Sequence, residues 1–131
     1  MKIHAISGYN EVGKNMTALE VGEEVILFDS GLYLPAIVGV AEREKIPTEK
    51  GMRELGALPD DIYLEKKGLR GKVRAILISH AHLDHLGAIP YNAYRYKADV
   101  VGTPFTIEVL KVLMEDSNQR IPNRMISVNP N

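Results

Sequence analysis

Ile78-Ser79-His80-Ala81-His82-Leu83-Asp84-His85-Leu86-Gly87 places three of the chain's four histidines and one aspartate within six residues. The run Val73–Ser79 before it is nearly continuous apolar, the pattern of a strand covered on both faces. The segment after it, Pro90–Lys97, reads as a short helix. The cluster therefore stands at the carboxyl end of a core strand, where open α/β sheets place their sites. Imidazole and carboxylate are the side chains that suit zinc and similar divalent ions. Residues two apart in an extended segment point the same way, so His80 and His82 can share one ion. Asp84 and His85 diverge and can address a second ion, with Asp84 near both. Gly87 lets the chain turn tightly into the helix that follows. The alternative, an exposed polar loop, does not explain three imidazoles directly behind a core strand.

Elsewhere, short apolar runs at Lys2–Ser7, Met16–Val21, Val25–Asp29, Asp99–Val101 and Met125–Val128 predict further strands, with a hairpin turn at Gly22-Glu23-Glu24. Pro104–Asp116 predicts the strongest helix, because Ile107, Leu110, Leu113 and Met114 recur at helical spacing and Pro104 suits a first turn. Strands first and strand–helix alternation later predict a layered α/β sheet. Residues 42–72 are the least regular part. Seven acidic and eight basic side chains leave that segment at a net charge of +1. It reads as a surface excursion between two strands, with room for a short helix at Glu49–Leu55 and too few apolar residues for a core of its own.

The 131 residues are about the size of one domain. Apolar residues at 45% and charged residues at 25% are ordinary globular usage. A formal net charge of −1 gives no general attraction for nucleic acid or anionic lipid, so a polyanion must be held by a local site. The absence of cysteine excludes a disulfide scaffold, a thiolate metal site and a thiol nucleophile. The N-terminus turns polar by Ser7, unlike a signal peptide. The longest uncharged stretch, Ser30–Ala41, is too short for a bilayer and holds Pro35 and two glycines. These features lead us to expect a soluble, cytoplasmic protein with no membrane partner.

The residues His80-x-His82-x-Asp84-His85 match the HxHxDH signature of the metallo-β-lactamase fold, and Asp29 in Phe28-Asp29-Ser30-Gly31 matches that family's upstream aspartate. More narrowly, Gly8-Tyr-Asn-Glu11-Val-Gly13-Lys14-Asn15-Met16, Asp29-Ser-Gly31-Leu32 and His80–Gly87 followed by Ala88-Ile89-Pro90-Tyr91 resemble the ribonuclease J branch of β-CASP nucleases, archaeal members especially. The resemblance runs over nearly the whole chain and is weakest across 33–72. It implies an α/β fold, the N-terminal part of a metallo-β-lactamase-like αββα sandwich. It also implies zinc-dependent hydrolysis of RNA phosphodiester bonds, exonucleolytic from the 5′ end with an endonucleolytic mode beside it. Two Zn2+ ions roughly 3.5–4 Å apart would activate water. His80 and His82 would hold the first and Asp84 and His85 the second. Asp84 would also be catalytic, orienting or deprotonating the nucleophile, and Asp29 would orient a ligand histidine.

No histidine follows His85, and the later aspartates are Asp99 and Asp116. The family's third histidine and bridging aspartate lie further along its chain. Residues 1–131 are thus expected to be the N-terminal portion of a metallo-β-lactamase domain, with the β-CASP domain and the C-terminal part absent. The expected partners are RNA, further copies in a homo-oligomer of the full-length form, and the missing C-terminal half or a complementing chain. The piece alone is expected to be inactive. Two other readings stand beside the ribonuclease: a hydrolase of a small ester, thioester or lactam on the same fold, and a non-catalytic fragment that works by assembly.

Gly8–Asn15 nearly spells a phosphate-binding loop, but Asn15 stands where Ser or Thr must follow the lysine, and a strand follows instead of a helix. By resemblance this loop lies near the active-site mouth, with Glu11 and Asn15 facing substrate. Tyr91, Tyr94 and Tyr96 read as packing residues before base-stacking ones. Lys66, Lys67, Arg70, Lys72 and Arg74 read as a solvated loop, and His4 as structural.

Overall fold

The computed structural model describes residues 1–38 and 48–130. The 42–47 portion of the charged excursion, and Asn131 at the end, lie outside the described residues. The elements are β1 (Lys2–Ser7), β2 (Met16–Val21), β3 (Glu24–Phe28), α1 (Glu49–Glu54), α2 (Ile62–Lys66), β4 (Val73–Leu77), α3 (Leu83–Leu86), α4 (Ile89–Asn92), β5 (Asp99–Gly102), α5 (Pro104–Asp116) and β6 (Met125–Ser127). They form one six-stranded sheet in the order β1-β2-β3-β4-β5-β6. The first three strands run antiparallel and the last four parallel. Each parallel step needs a crossover, and the helices ride in those crossovers.

Strand alternation sends Met16, Ala18, Val25, Leu27, Val73, Ile76 and Val100 to one face, where Leu64, Leu86, Ile89, Tyr96, Leu110 and Met114 cover them. α5 is capped as its sequence predicts: the Thr103 hydroxyl accepts from the Thr106 amide, and Pro104 opens the helix. It buries Ile107, Leu110 and Met114. The other sheet face carries the cross-strand rows Ile3, Leu19, Ile26, Ala75 and Thr17, Phe28, Leu77, Val101, Ile126. Ile3 and Phe28 are exposed there and the rest only half-buried. β4 is therefore fully covered on one side, not on both as its apolar run predicts. The described residues build two layers, helices over sheet, which is one αβ half of the expected αββα sandwich. No described helix is long and apolar enough to cross a membrane.

Two expectations need correction. The excursion is more than surface: Met52, Ala57, Leu58, Leu64 and Leu69 are buried in its described part. Leu64 and Leu69 join the layer over the sheet. Met52, Ala57 and Leu58 instead form a second buried cluster with Leu32, Ala88 and Tyr91, so the segment shares its core with the rest of the chain. Its charges pair as it packs, with Arg53 Nη1 2.7 Å from Asp61 Oδ1 and Arg95 Nη2 2.6 Å from Glu65 Oε2. The helix expected over Pro90–Lys97 is instead α4 followed by a 3₁₀ turn at Ala93–Arg95. The break falls at Asn92, whose φ is −123°. Its side chain is tied to the side chains of Ser30 and Asp61.

Candidate functional site

The site forms where β3 and β4 end side by side. β3 stops because Asp29 turns left-handed, with φ +67°, a conformation that aspartate tolerates better than most side chains. The loop that follows is laced to the motif: Asp29 N donates to Leu77 O at 2.8 Å, Ser30 N to His85 O at 2.8 Å and Leu32 N to Leu83 O at 2.9 Å. Gly31 passes so close to the Asp84 carbonyl that no Cβ fits between them. β4 stops at Leu77, two residues earlier than its apolar run predicts, because the Ser79 amide donates to Asp29 Oδ1 at 2.7 Å and leaves the ladder.

The Asp29 carboxylate collects three donors. Besides the Ser79 amide, Oδ2 accepts from Ser79 Oγ at 2.9 Å and lies 2.8 Å from His85 Nδ1. A carboxylate only accepts, so His85 carries its proton on Nδ1 and offers the lone pair of Nε2. Ser79 Oγ has spent its single proton on Asp29, so His80 Nδ1, 2.9 Å away, must donate to it. His80 too is left with a free Nε2 lone pair. The His80 ring centre lies 4.5 Å from that of His82 and 3.9 Å from that of His85. His85 Nε2 lies 3.5 Å from Asp84 Oδ2. Two electron-pair donors that close repel unless they share a cation or a proton.

Among the described residues no group of three or more His, Asp or Glu side chains is placed so that it could hold one metal ion. The donor set nevertheless fits a divalent ion of the zinc type: two imidazoles fixed in the ligating tautomer, a third exposed beside them, and a carboxylate at their edge. Replacing Asp29 by Asn keeps a side chain that tolerates the left-handed backbone, but its amide cannot accept from all three donors. Asp29→Asn is expected to weaken zinc binding about 10- to 100-fold, read by competition with a chromophoric chelator. Unchanged affinity would remove the orienting role.

The structure brings His80, His82, Asp84 and His85 together, by a different route from the one expected. His80 and His82 do not lie on an extended segment. The chain bends at His80-Ala81, and His82 is the N-cap of α3. The bend brings the rings together and adds His85 to the same group. The chain does turn at Gly87-Ala88 from α3 into α4, but Gly87 keeps a helical φ of −65° that any residue could adopt. Its lack of a side chain instead admits Leu32, whose Cγ would lie 2.8 Å from any Cβ there. Asn15 is a brace: its Nδ2 and its backbone N donate to the Asp84 carbonyl at 2.9 and 3.2 Å. Glu11 accepts from the Gly8 amide in its own loop at 3.2 Å. These bonds engage Asn15 Nδ2 and Glu11 Oε1 within the protein. Tyr91 and Tyr96 are buried, and the Tyr94 hydroxyl is bonded to Glu49. His4 bridges Tyr63 and Glu20 at 2.9 and 3.0 Å, the structural role expected of it. Sequence reading passed over Ser79, whose hydroxyl joins Asp29 to His80. Its place between the strand and the first histidine was the available signal.

A carboxylate clasping a histidine at the end of a parallel strand, with two more imidazoles against it, is the arrangement against which relatives can be compared. The family model of the metallo-beta-lactamase superfamily matches residues 9–120, which include every residue of this site. The chain belongs to the metallo-beta-lactamase superfamily. It is 39% identical to ribonuclease J of Methanocaldococcus jannaschii over 132 aligned residues, 98% of this chain and 29% of that protein. It is 43% identical to ribonuclease J of Pyrococcus abyssi, over 85% of this chain and 24% of that protein. The chain thus spans less than a third of the length of these relatives. The crystal structure of human tRNase Z, short form, superposes with a TM-score of 0.51 at 19% identity, covering 91% of this chain and 39% of that one. That likeness shows the metallo-beta-lactamase fold.

Proposed function

We propose that this chain supplies the histidine-bearing part of a metal-dependent ribonuclease, and that RNA is its substrate. The observation that carries the reading is the Asp29–His85 clasp at 2.8 Å beside His80 and His82. Similarity to proteins named ribonuclease J, over nearly all of this chain, supports the choice of RNA over a small ester or thioester. In this reading His80 and His82 would hold one zinc ion, and Asp84 and His85 would hold a second. Bound divalent ions lower the pKa of water and polarise a phosphoryl oxygen. Asp29 fixes the tautomer and direction of His85, and Ser79 does the same for His80. Asp84 Oδ2, at the edge of the cluster, takes the proton of the attacking water. Cleavage proceeds exonucleolytically from the 5′ end, with an endonucleolytic mode beside it, in the cytoplasm and in a homo-oligomer.

The relatives are more than three times as long as the stretch they share with this chain. We therefore propose that residues 1–131 form the N-terminal portion of the metallo-β-lactamase domain, and that further ligands and a β-CASP domain come from additional chain. The test is a full-length polypeptide carrying this stretch, given 5′-labelled RNA. Cleavage is expected to stop when a chelator removes the metal and to resume on adding zinc. Cleavage indifferent to chelation, or hydrolysis of a thioester with RNA untouched, would overturn the reading.

A further inference from the structure

A chain of fully buried polar side chains runs from the crossover between β3 and β4 to the loop that carries Asp29. Asp61, Asn92 and Ser30 are 1%, 0% and 0% exposed. Asp61 Oδ1 accepts from Arg53 Nη1 at 2.7 Å. Its Oδ2 accepts from the Tyr96 hydroxyl at 2.6 Å and from Asn92 Nδ2 at 3.3 Å. Burial, reinforced by Asp61, pushes the pKa of the Tyr96 hydroxyl well up, so it remains a donor. On its other side Asn92 Oδ1 accepts from Ser30 Oγ at 2.9 Å. The backbone of Ser30 is committed too: its N–H donates to His85 O at 2.8 Å, and its carbonyl accepts from Ala88 N at 2.9 Å.

The direction of these bonds follows from the acid. Asp61 can only accept, so Asn92 must turn its NH2 toward Asp61 and its carbonyl oxygen toward Ser30. A buried network of this kind holds one geometry, because any other leaves a polar group unpaired among apolar neighbours. Ser30 directly follows Asp29, whose left-handed backbone is costly and persists only where its surroundings over-determine it. The side chain and both backbone polar groups of Ser30 are bonded, and all three bonds reach the α3–α4 segment that carries His85.

We propose that Asn92 and Asp61 are positioning residues for the candidate metal centre, holding Ser30 so that the Asp29 carboxylate meets Ser79 and His85. The value of this arrangement rests on reading His80, His82, Asp84 and His85 as metal ligands; the positioning itself can be measured without metal. The Ser79 amide donates to Asp29 Oδ1, so its hydrogen exchange reports whether that carboxylate is in place. The neighbouring Ile78 amide, bonded to Val101 O at 2.9 Å, is the internal reference.

In Ser30→Ala and Asn92→Leu, Ser79 exchange relative to Ile78 is expected to rise about tenfold or more. Tyr96→Phe takes one donor from Asp61 but leaves the path to Ser30 whole. It is expected to lower the unfolding midpoint and leave the ratio unchanged. An unchanged ratio in Ser30→Ala, or an equal rise in Tyr96→Phe, overturns the proposal; should Asn92→Leu fail to fold, Ser30→Ala decides alone. Zinc titration of the unaltered protein tests the metal reading separately. If zinc does not bind while the exchange ratios behave as expected, the metal centre falls and the positioning of Asp29 stands. If zinc binds, Ser30→Ala is expected to weaken it about tenfold.

Discussion

His82→Ala is expected to lower RNA cleavage about 1000-fold or more while leaving the fold intact. The two halves of that expectation have separate physical grounds. The His82 side chain is exposed, makes no hydrogen bond among the described residues and stands before α3 with an extended backbone. Its removal therefore uncovers no buried group, and the stability change should stay within about 0.5 kcal/mol, as for ordinary surface substitutions. In the proposed reading this imidazole, edge-on to that of His80 at 4.5 Å, is a metal ligand. Cleavage rates of the full-length polypeptide and its urea unfolding, measured together, check both halves. Cleavage within tenfold of the unaltered enzyme would remove His82 from the ligand set. A large loss of stability would show that it was holding the fold after all.

Gly31→Ala is the substitution with the largest expected effect on stability, at about 3 kcal/mol or more. A Cβ on Gly31 would overlap the backbone carbonyl of Asp84 and come within 2.9 Å of the Asn15 backbone nitrogen. Neither obstacle is the end of a flexible side chain, so relief requires the β3 loop to part from α3. That separation would break the bonds from Ser30 N to His85 O and from Leu32 N to Leu83 O, and would draw Asp29 away from His85. Zinc affinity should fall together with stability. Denaturant unfolding that places Gly31→Ala within 1 kcal/mol of the unaltered protein would mean that the loop and α3 are not held this closely.

Much of the architecture was legible in advance because its signals are local. Apolar alternation marked β1 and β2 to the residue. Pro104 with Ile107, Leu110 and Met114 marked α5 to the residue. α2 and the burial of Asp61 were not legible, because a helix of five residues shows less than two turns of periodicity and an aspartate normally reads as surface. Tyr96 packs in the core as its sequence reading expects, but only the fold shows that its hydroxyl meets Asp61 in the interior. The strand expected over Val73–Ser79 ran too long because the apolar count cannot show that Asp29, fifty residues away, takes the Ser79 amide.

By itself the sequence determined the chemistry: imidazoles and carboxylates at close spacing behind an apolar strand can ligate divalent ions wherever the chain carries them. Which nitrogen His80 and His85 offer was decided only by the tertiary structure. The partners that set the tautomers of His80 and His85 are Ser79 and Asp29, and Asp29 arrives from another strand. Spacing along a chain fixes which ligands lie near one another. Proton placement depends on hydrogen bonds between segments that only folding brings together.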